Sequence, residues 1–140
     1  MKKIITLVIT ALIGLALLIQ LVPYGRDHNN PPVVAEPQWA NTETRLLAQR
    51  ACFDCHSNET VWPWYSNIAP VSWLVQRDVE EGREALNFSE WNREYEEADE
   101  MGEVVAEGEM PPAVFLITHP EARLTADEKQ TLSQGLDGTR

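Results

Sequence analysis

The chain is predicted to be mostly α-helical, one small domain carried on an N-terminal transmembrane helix. Three observations predict this. Apolar residues recur at helical spacing in four segments after residue 40. No segment alternates apolar and polar residues as a half-buried strand does, and no internal repeat is visible. An uncharged apolar run occupies Ile4 to Val22, behind Met1-Lys2-Lys3.

That run is interrupted only by Thr6, Thr10, Gly14 and Gln20. Its length suits a bilayer-spanning helix. A secretory signal peptide is the rival reading, but its apolar core is shorter and ends in a small-x-small site. Here the run ends Gln20-Leu21-Val22-Pro23-Tyr24-Gly25, so an uncleaved anchor over residues 1–23 is favoured. Lys2 and Lys3 are expected to stay cytoplasmic, which puts everything after Pro23 on the other side of the membrane. Residues 24–40 contain Arg26 to Pro37, a polar, proline-bearing stretch that reads as an extended linker. Residues 41–140 form one domain by length.

Charge limits the partners. The chain carries −11, and beyond Lys3 nine basic residues face 22 acidic ones, a net −13. Such a surface disfavours nucleic acid and anionic lipid and suits docking to a basic patch on a partner protein. A solvated acidic surface with no docking role is the plainer reading.

Within the domain, Asn41 is placed to cap a helix through Leu46, Leu47 and Ala51 into Cys52. Ser57 to Pro70 has two prolines and no helical period, and reads as an ordered loop. Its rings Trp62, Trp64 and Tyr65, with Trp73 just beyond, are expected to pack on a cofactor or to fill core. Ser72 is expected to cap a helix with Trp73 first, burying Val71, Val75, Val79, Gly82 and Leu86. Ser89 is expected to cap another through Trp91, Tyr95, Met101 and Val105, with an acidic solvated face. Gly108-Glu109-Met110-Pro111-Pro112 is a loop, because each proline excludes its predecessor from helical geometry. Thr125-Ala126-Asp127-Glu128 is a capping box. It opens a last helix carrying Leu132 and Leu136 and ending at Gly135 or Gly138.

The chemistry lies in Cys52-Phe53-Asp54-Cys55-His56, which contains the only two cysteines in 140 residues. C-x-x-C-H is the spacing of covalent haem attachment. Two thiols three positions apart can each add to a porphyrin vinyl group, and the adjacent imidazole can then take an axial position on iron. A thioredoxin-like redox pair is expected beside a βαβ pattern, which is missing here. A closed zinc site needs four ligands, and His28 and His119 stand alone. A plain structural disulfide would close a loop too short to add much stability. The predicted cofactor is therefore one covalent haem c, and the predicted architecture is a small cytochrome-c-like set of helices around it.

His56 is the expected proximal iron ligand. The distal candidates are Met101, Met110, His28 and His119. Met101 lies on a predicted apolar stripe, where packing accounts for it. Met110 sits in a proline-stiffened loop that can aim a thioether at iron, and is the favoured ligand. His119 precedes Pro120 and His28 lies in the linker.

The block CFDCHSNETVWPWYSNIAPVSWLVQRDVEEGREALNFSEW, with GEMPP and LITHPEARLTADEK, resembles the "haem-binding domain" family of bacterial C-x-x-C-H proteins. The resemblance covers nearly all of the chain beyond the anchor. It implies a monohaem c-type domain, often membrane-anchored or fused to other cytochrome modules. It carries over Cys52, Cys55 and His56 as haem-attaching residues, and Met110. The family is named for its cofactor, so no reaction is implied.

The expected function is electron transfer by a single-pass cytochrome of the bacterial inner membrane, with its haem domain in the periplasm. His/Met ligation fills both axial positions and raises the potential, which favours a carrier over an enzyme. The alternative is a haem-based gas or redox sensor with a displaceable sixth ligand. A peroxidase needs an open distal site with nearby acid-base groups, and the sequence offers no positioned base beyond His119.

Overall fold

A computed structural model describes residues 1–139. Seven α-helices follow in order: α1 (Lys2–Ile19), α2 (Thr42–Ala51), α3 (Phe53–His56), α4 (Val71–Ala85), α5 (Met101–Glu107), α6 (Phe115–Thr118) and α7 (Ala126–Asp137). Three single 3-10 turns intervene, at Trp64–Asn67, Glu96–Glu100 and Pro120–Ala122. Among the described residues there is no strand, only an isolated bridge between Ala35 and Glu90. The predicted mostly helical class with an apolar N-terminal helix is what the chain adopts.

Contacts divide the described residues into two units, 1–29 with 62–78, and 30–61 with 79–139. The division falls inside α4.

In the first unit, α1 is long and apolar enough to cross a membrane, and none of its residues is buried. Its end is fastened to the Trp62–Ala69 loop. The Gln20 side chain donates to the Ala69 carbonyl (2.8 Å) and accepts from the Ala69 N–H (3.0 Å). Arg26 donates to the same Gln20 oxygen at 3.0 Å. Gly25 takes φ +78°, and a side chain there would run into the Ser72 carbonyl. His28 stacks on Trp62 at 4.7 Å between centroids, and its Nε2 pairs with the Ser66 hydroxyl at 2.9 Å.

In the second unit, α7 packs on both α5 and α2. Small residues make this possible. A Cβ on Gly135 would collide with the Thr44 side chain, and one on Gly102 with Asp137 and the Ser133 carbonyl. The Ser133 hydroxyl donates to the Gly102 carbonyl at 2.8 Å across the α5–α7 contact. The core comprises Leu47, Ala48, Phe53, Leu86, Phe88, Met101, Val105, Leu132 and Leu136. Burying each large apolar side chain contributes about 1.5–3 kcal/mol before chain entropy is counted.

Several sequence expectations match the structure. Asn41 caps α2, its side chain accepting from the Thr44 N–H at 2.8 Å. Thr125 and Glu128 form the capping box of α7, and Gly138 closes that helix. Gly108 ends α5 in the left-handed conformation at φ +84°, which glycine adopts without a Cβ penalty.

Three expectations differ. Helix α4 starts at Val71, so Ser72 lies in its first turn rather than at its cap, and Val71 is exposed. No helix starts at Ser89. Residues 88–93 run through turns and the Glu90 bridge instead, because several of their groups bond elsewhere. The Ser89 N–H donates to the Asn87 side chain (2.9 Å), its hydroxyl accepts from the Asn58 N–H (2.9 Å), and the Trp91 N–H donates to the Ala35 carbonyl (2.9 Å). Residues 30–37, read as linker, pack within the second unit. Glu36 there accepts two 2.7 Å bonds from Arg45.

Candidate functional site

The C-x-x-C-H motif occupies a break between two helices. At Cys52 the chain leaves α2 with φ −124°, and Phe53 to His56 then form the single turn of α3. The break does not loosen the segment. The Cys52 N–H still donates to Ala48 at 2.8 Å, and the His56 N–H to Cys52 at 2.9 Å. Phe53, between the cysteines, points into the core, 3% exposed, against Phe88 at 5.7 Å. One buried ring inside the motif thus pins it to the body, while Cys52, Cys55 and His56 as whole residues keep some exposure.

The chain after the motif is held by polar groups. The buried Ser57 hydroxyl donates to the Phe53 carbonyl at 2.8 Å. Buried Asn58 accepts from the Asn87 amide (2.9 Å) and donates to the Glu90 carboxylate (3.1 Å). Arg83 donates to the Ser57 carbonyl at 2.8 Å and to the Thr60 hydroxyl at 3.0 Å. The Asp54 side chain accepts from the Val61 N–H at 2.9 Å. From the other side, Gly82 of α4 lies directly against the Cys55 backbone.

These elements frame a cleft of about 120 Å³ that opens to solvent at its mouth. Cys52, Cys55 and His56 line it, with Ala51, Leu86, Phe88, Met101, Val104, Val105, Met110, Pro112, Phe115 and Leu136. Exposed Glu97 and Glu100 are the acidic residues at its wall.

Electrostatics suit iron ligation by a neutral imidazole. Burial holds His56 below the usual histidine range, opposed in part by its backbone hydrogen bonds and the Glu97 charge. Its Nδ1 lies 3.1 Å from the Leu86 carbonyl. A carbonyl can only accept, so Nδ1 carries the proton there and Nε2 is left as the lone-pair nitrogen. A backbone carbonyl fixing the tautomer in this way is the usual outer-shell support of a ligating histidine. Burial pushes the Cys52 thiol up to about 12, with the neighbouring Cys55 adding to the effect. That opposes the thiolate character which a redox-active C-x-x-C pair needs.

The donor set fits a haem. Two thiols and a tautomer-fixed imidazole share one apolar cleft with two thioethers, Met101 and Met110. Of the distal candidates, Met110 lines the cleft from the loop after α5 and is 36% exposed. Met101 also lines it, although it belongs to the buried core as expected. His119 and His28 are not among the lining residues. His119 stacks on Phe115 at 3.9 Å, and His28 belongs to the first unit. Trp62, Trp64, Tyr65 and Trp73, expected at the cofactor, also belong to the first unit, and none lines the cleft. Leu86 and Phe88 carry the wall that sequence reading missed. They follow the end of α4, where the Phe88 N–H bonds the His56 carbonyl at 2.8 Å. The helical spacing of Leu86 marked only burial, and Phe88 carried no signal of its own.

No curated protein and no solved structure matches the chain. A family profile described as a haem-binding domain matches residues 14–137. With that match spanning most of its length, the chain belongs to the haem-binding domain family, and haem is its cofactor.

Proposed function

We propose that this protein is a membrane-anchored monohaem c-type cytochrome that transfers electrons outside the cytoplasm. The observation that carries the reading is the convergence of Cys52, Cys55, His56 and Met110 on one apolar cleft in a haem-binding domain. Cys52 and Cys55 hold the group as thioethers. His56 supplies Nε2 to iron while the Leu86 carbonyl keeps its ring from rotating. Met110, on the same cleft, would supply its thioether sulfur as a further iron ligand. When bound, the haem supplies an iron centre that gains and loses one electron. Leu86, Phe88, Val105 and Leu136 exclude water, which reduces the reorganisation that a charge change requires. Helix α1 tethers the domain at the membrane, and the acidic surface suits a redox partner with a basic patch.

A second reading, a gas or redox sensor, is favoured by one observation. Met110 lies on a loop and is 36% exposed, so this ligand can be displaced without unfolding a helix. Optical spectra of purified protein, oxidised and reduced, with and without carbon monoxide, separate the two. The carrier reading expects a sulfur-to-iron band when oxidised and no spectral change with carbon monoxide. Rapid carbon monoxide binding by the unmutated protein replaces it with the sensor reading.

A further inference from the structure

Trp62, Trp64, Tyr65 and Trp73 do not line the cofactor cleft, yet they are concentrated in one stretch. Val61 to Gln76 contains no charged side chain, in a chain in which 24% of residues are charged. Several of its apolar side chains face outward. Trp64 is 76% exposed, Leu74 58% and Ile68 46%. Clustered exposure of this kind marks an interaction surface rather than a core.

The position of the stretch identifies what it meets. Gln20 closes α1 and is hydrogen-bonded in both directions to Ala69, and the Ser72 hydroxyl bonds the Tyr24 carbonyl at 3.4 Å. The stretch is thereby fixed to the C-terminal end of the apolar helix. Eighteen residues of helix span about 27 Å at 1.5 Å per residue, close to the roughly 30 Å hydrocarbon core of a bilayer. With Lys2 and Lys3 at one headgroup layer, Gln20 and the loop bonded to it fall at the other. Trp and Tyr prefer that depth. The loop is also prepared for reduced hydration. The Ser66 hydroxyl donates to Pro63, the Asn67 amide to Trp64, and the Ser66 and Ile68 N–H groups to Pro63 and Tyr65.

We propose that the Trp62–Leu74 segment is a membrane-interface surface, with Trp64, Ile68 and Leu74 inserted among lipid headgroups beside the end of α1. The proposal rests on α1 being a membrane anchor. The segment holds its part of the chain at the bilayer through uncharged aromatic and aliphatic contacts, which the acidic remainder cannot make with an anionic surface.

The test uses the full-length haem protein reconstituted in phosphatidylcholine vesicles, with or without bromine on the upper acyl chain. Alkaline carbonate extraction of the same vesicles reports the anchor separately. The expected result is a carbonate-resistant protein whose tryptophan fluorescence is lower in brominated vesicles. Trp64→Phe should reduce that difference, and Trp91→Phe, which alters a ring packed on Phe88 and Tyr95, should leave it intact. Both variants keep an aromatic ring, and Trp64 is too exposed for its loss to unfold the chain. A carbonate-resistant protein with no bromine quenching, or with quenching unchanged in Trp64→Phe, overturns the interface surface and leaves the anchor standing. Such a face would be one for a protein partner or a second copy. Extraction by carbonate overturns the anchor and the proposal together.

Discussion

Gly82 approaches Cys55 so closely that a Cβ on it would lie 2.6 Å from the Cys55 carbonyl oxygen and 3.0 Å from the Cys55 Cβ. The second half of α4 therefore sets the position of the Cys55 backbone and Cβ. Neither partner is a flexible side-chain tip, so an added methyl must move backbone. Gly82→Ala is expected to cost about 1–3 kcal/mol and to lower the yield of haem-loaded protein. Thermal unfolding and the ratio of haem absorbance to protein measure the two effects. Full loading at unchanged stability would show that α4 and the motif can separate without consequence.

The two methionines of the cleft should respond differently. Met110→Ala is expected to abolish the sulfur-to-iron band, lower the midpoint potential and admit carbon monoxide. Met101, 5% exposed in the core, should on change to Ala lose about 2–5 kcal/mol of stability and keep the native spectrum. Optical titration and denaturant unfolding of both variants decide the matter. If Met101→Ala changes the spectrum and Met110→Ala does not, the ligand assignment is reversed. If only His119→Ala changes it, the ligation is bis-histidine.

Acid should weaken the packing of residues 30–40. The Arg45 guanidinium, bonded twice at 2.7 Å, holds Glu36 below its ordinary 4.5 despite partial burial. A carboxylate depressed by folding stabilises fully above its unfolded pKa, and the contribution is lost as pH falls through the folded value. The window is therefore below pH 4.5. Solvent screening keeps this half-exposed pair to about 1 kcal/mol. Glu36→Gln should lose that amount at pH 7 and show a shallower fall in stability between neutral and acid pH. A slope identical to that of the unmutated protein would assign the acid sensitivity elsewhere, for example to Glu90, which Asn58 and Arg93 also hold low.

What was legible in the sequence was what neighbours along the chain decide. Asn41 and Thr125 cap helices with their own side chains, and Gly108 turns the backbone with no distant help. C-x-x-C-H sets its own spacing. What was not legible depends on distant partners. The Trp91–Tyr95–Met101–Val105 spacing imitates a helix, but Ala35 and Asn58 take the hydrogen bonds that a helix at Ser89 would need. The aromatic loop stands next to the motif in sequence, yet Gln20 fastens it to the end of α1. The Leu86 carbonyl that orients His56 belongs to the backbone, so no residue type announces it. Met101 was legible as core, but its place on the cleft wall was not.

The proposed covalent attachment makes the two sulfurs separately testable. Cys52→Ala and Cys55→Ala should each weaken or lose covalent attachment. His56→Ala should lose normal axial ligation while Cys52 and Cys55 remain able to hold the group. Absorbance spectra before and after acid-acetone extraction distinguish these outcomes, because only thioether-held haem stays with the chain.

The most direct test of the account is the intact mass of the purified protein under denaturing acid. The predicted result is the chain plus one haem, with neither cysteine open to alkylation. A chain of unmodified mass with two alkylatable thiols would contradict covalent attachment at Cys52 and Cys55, and the c-type assignment with it.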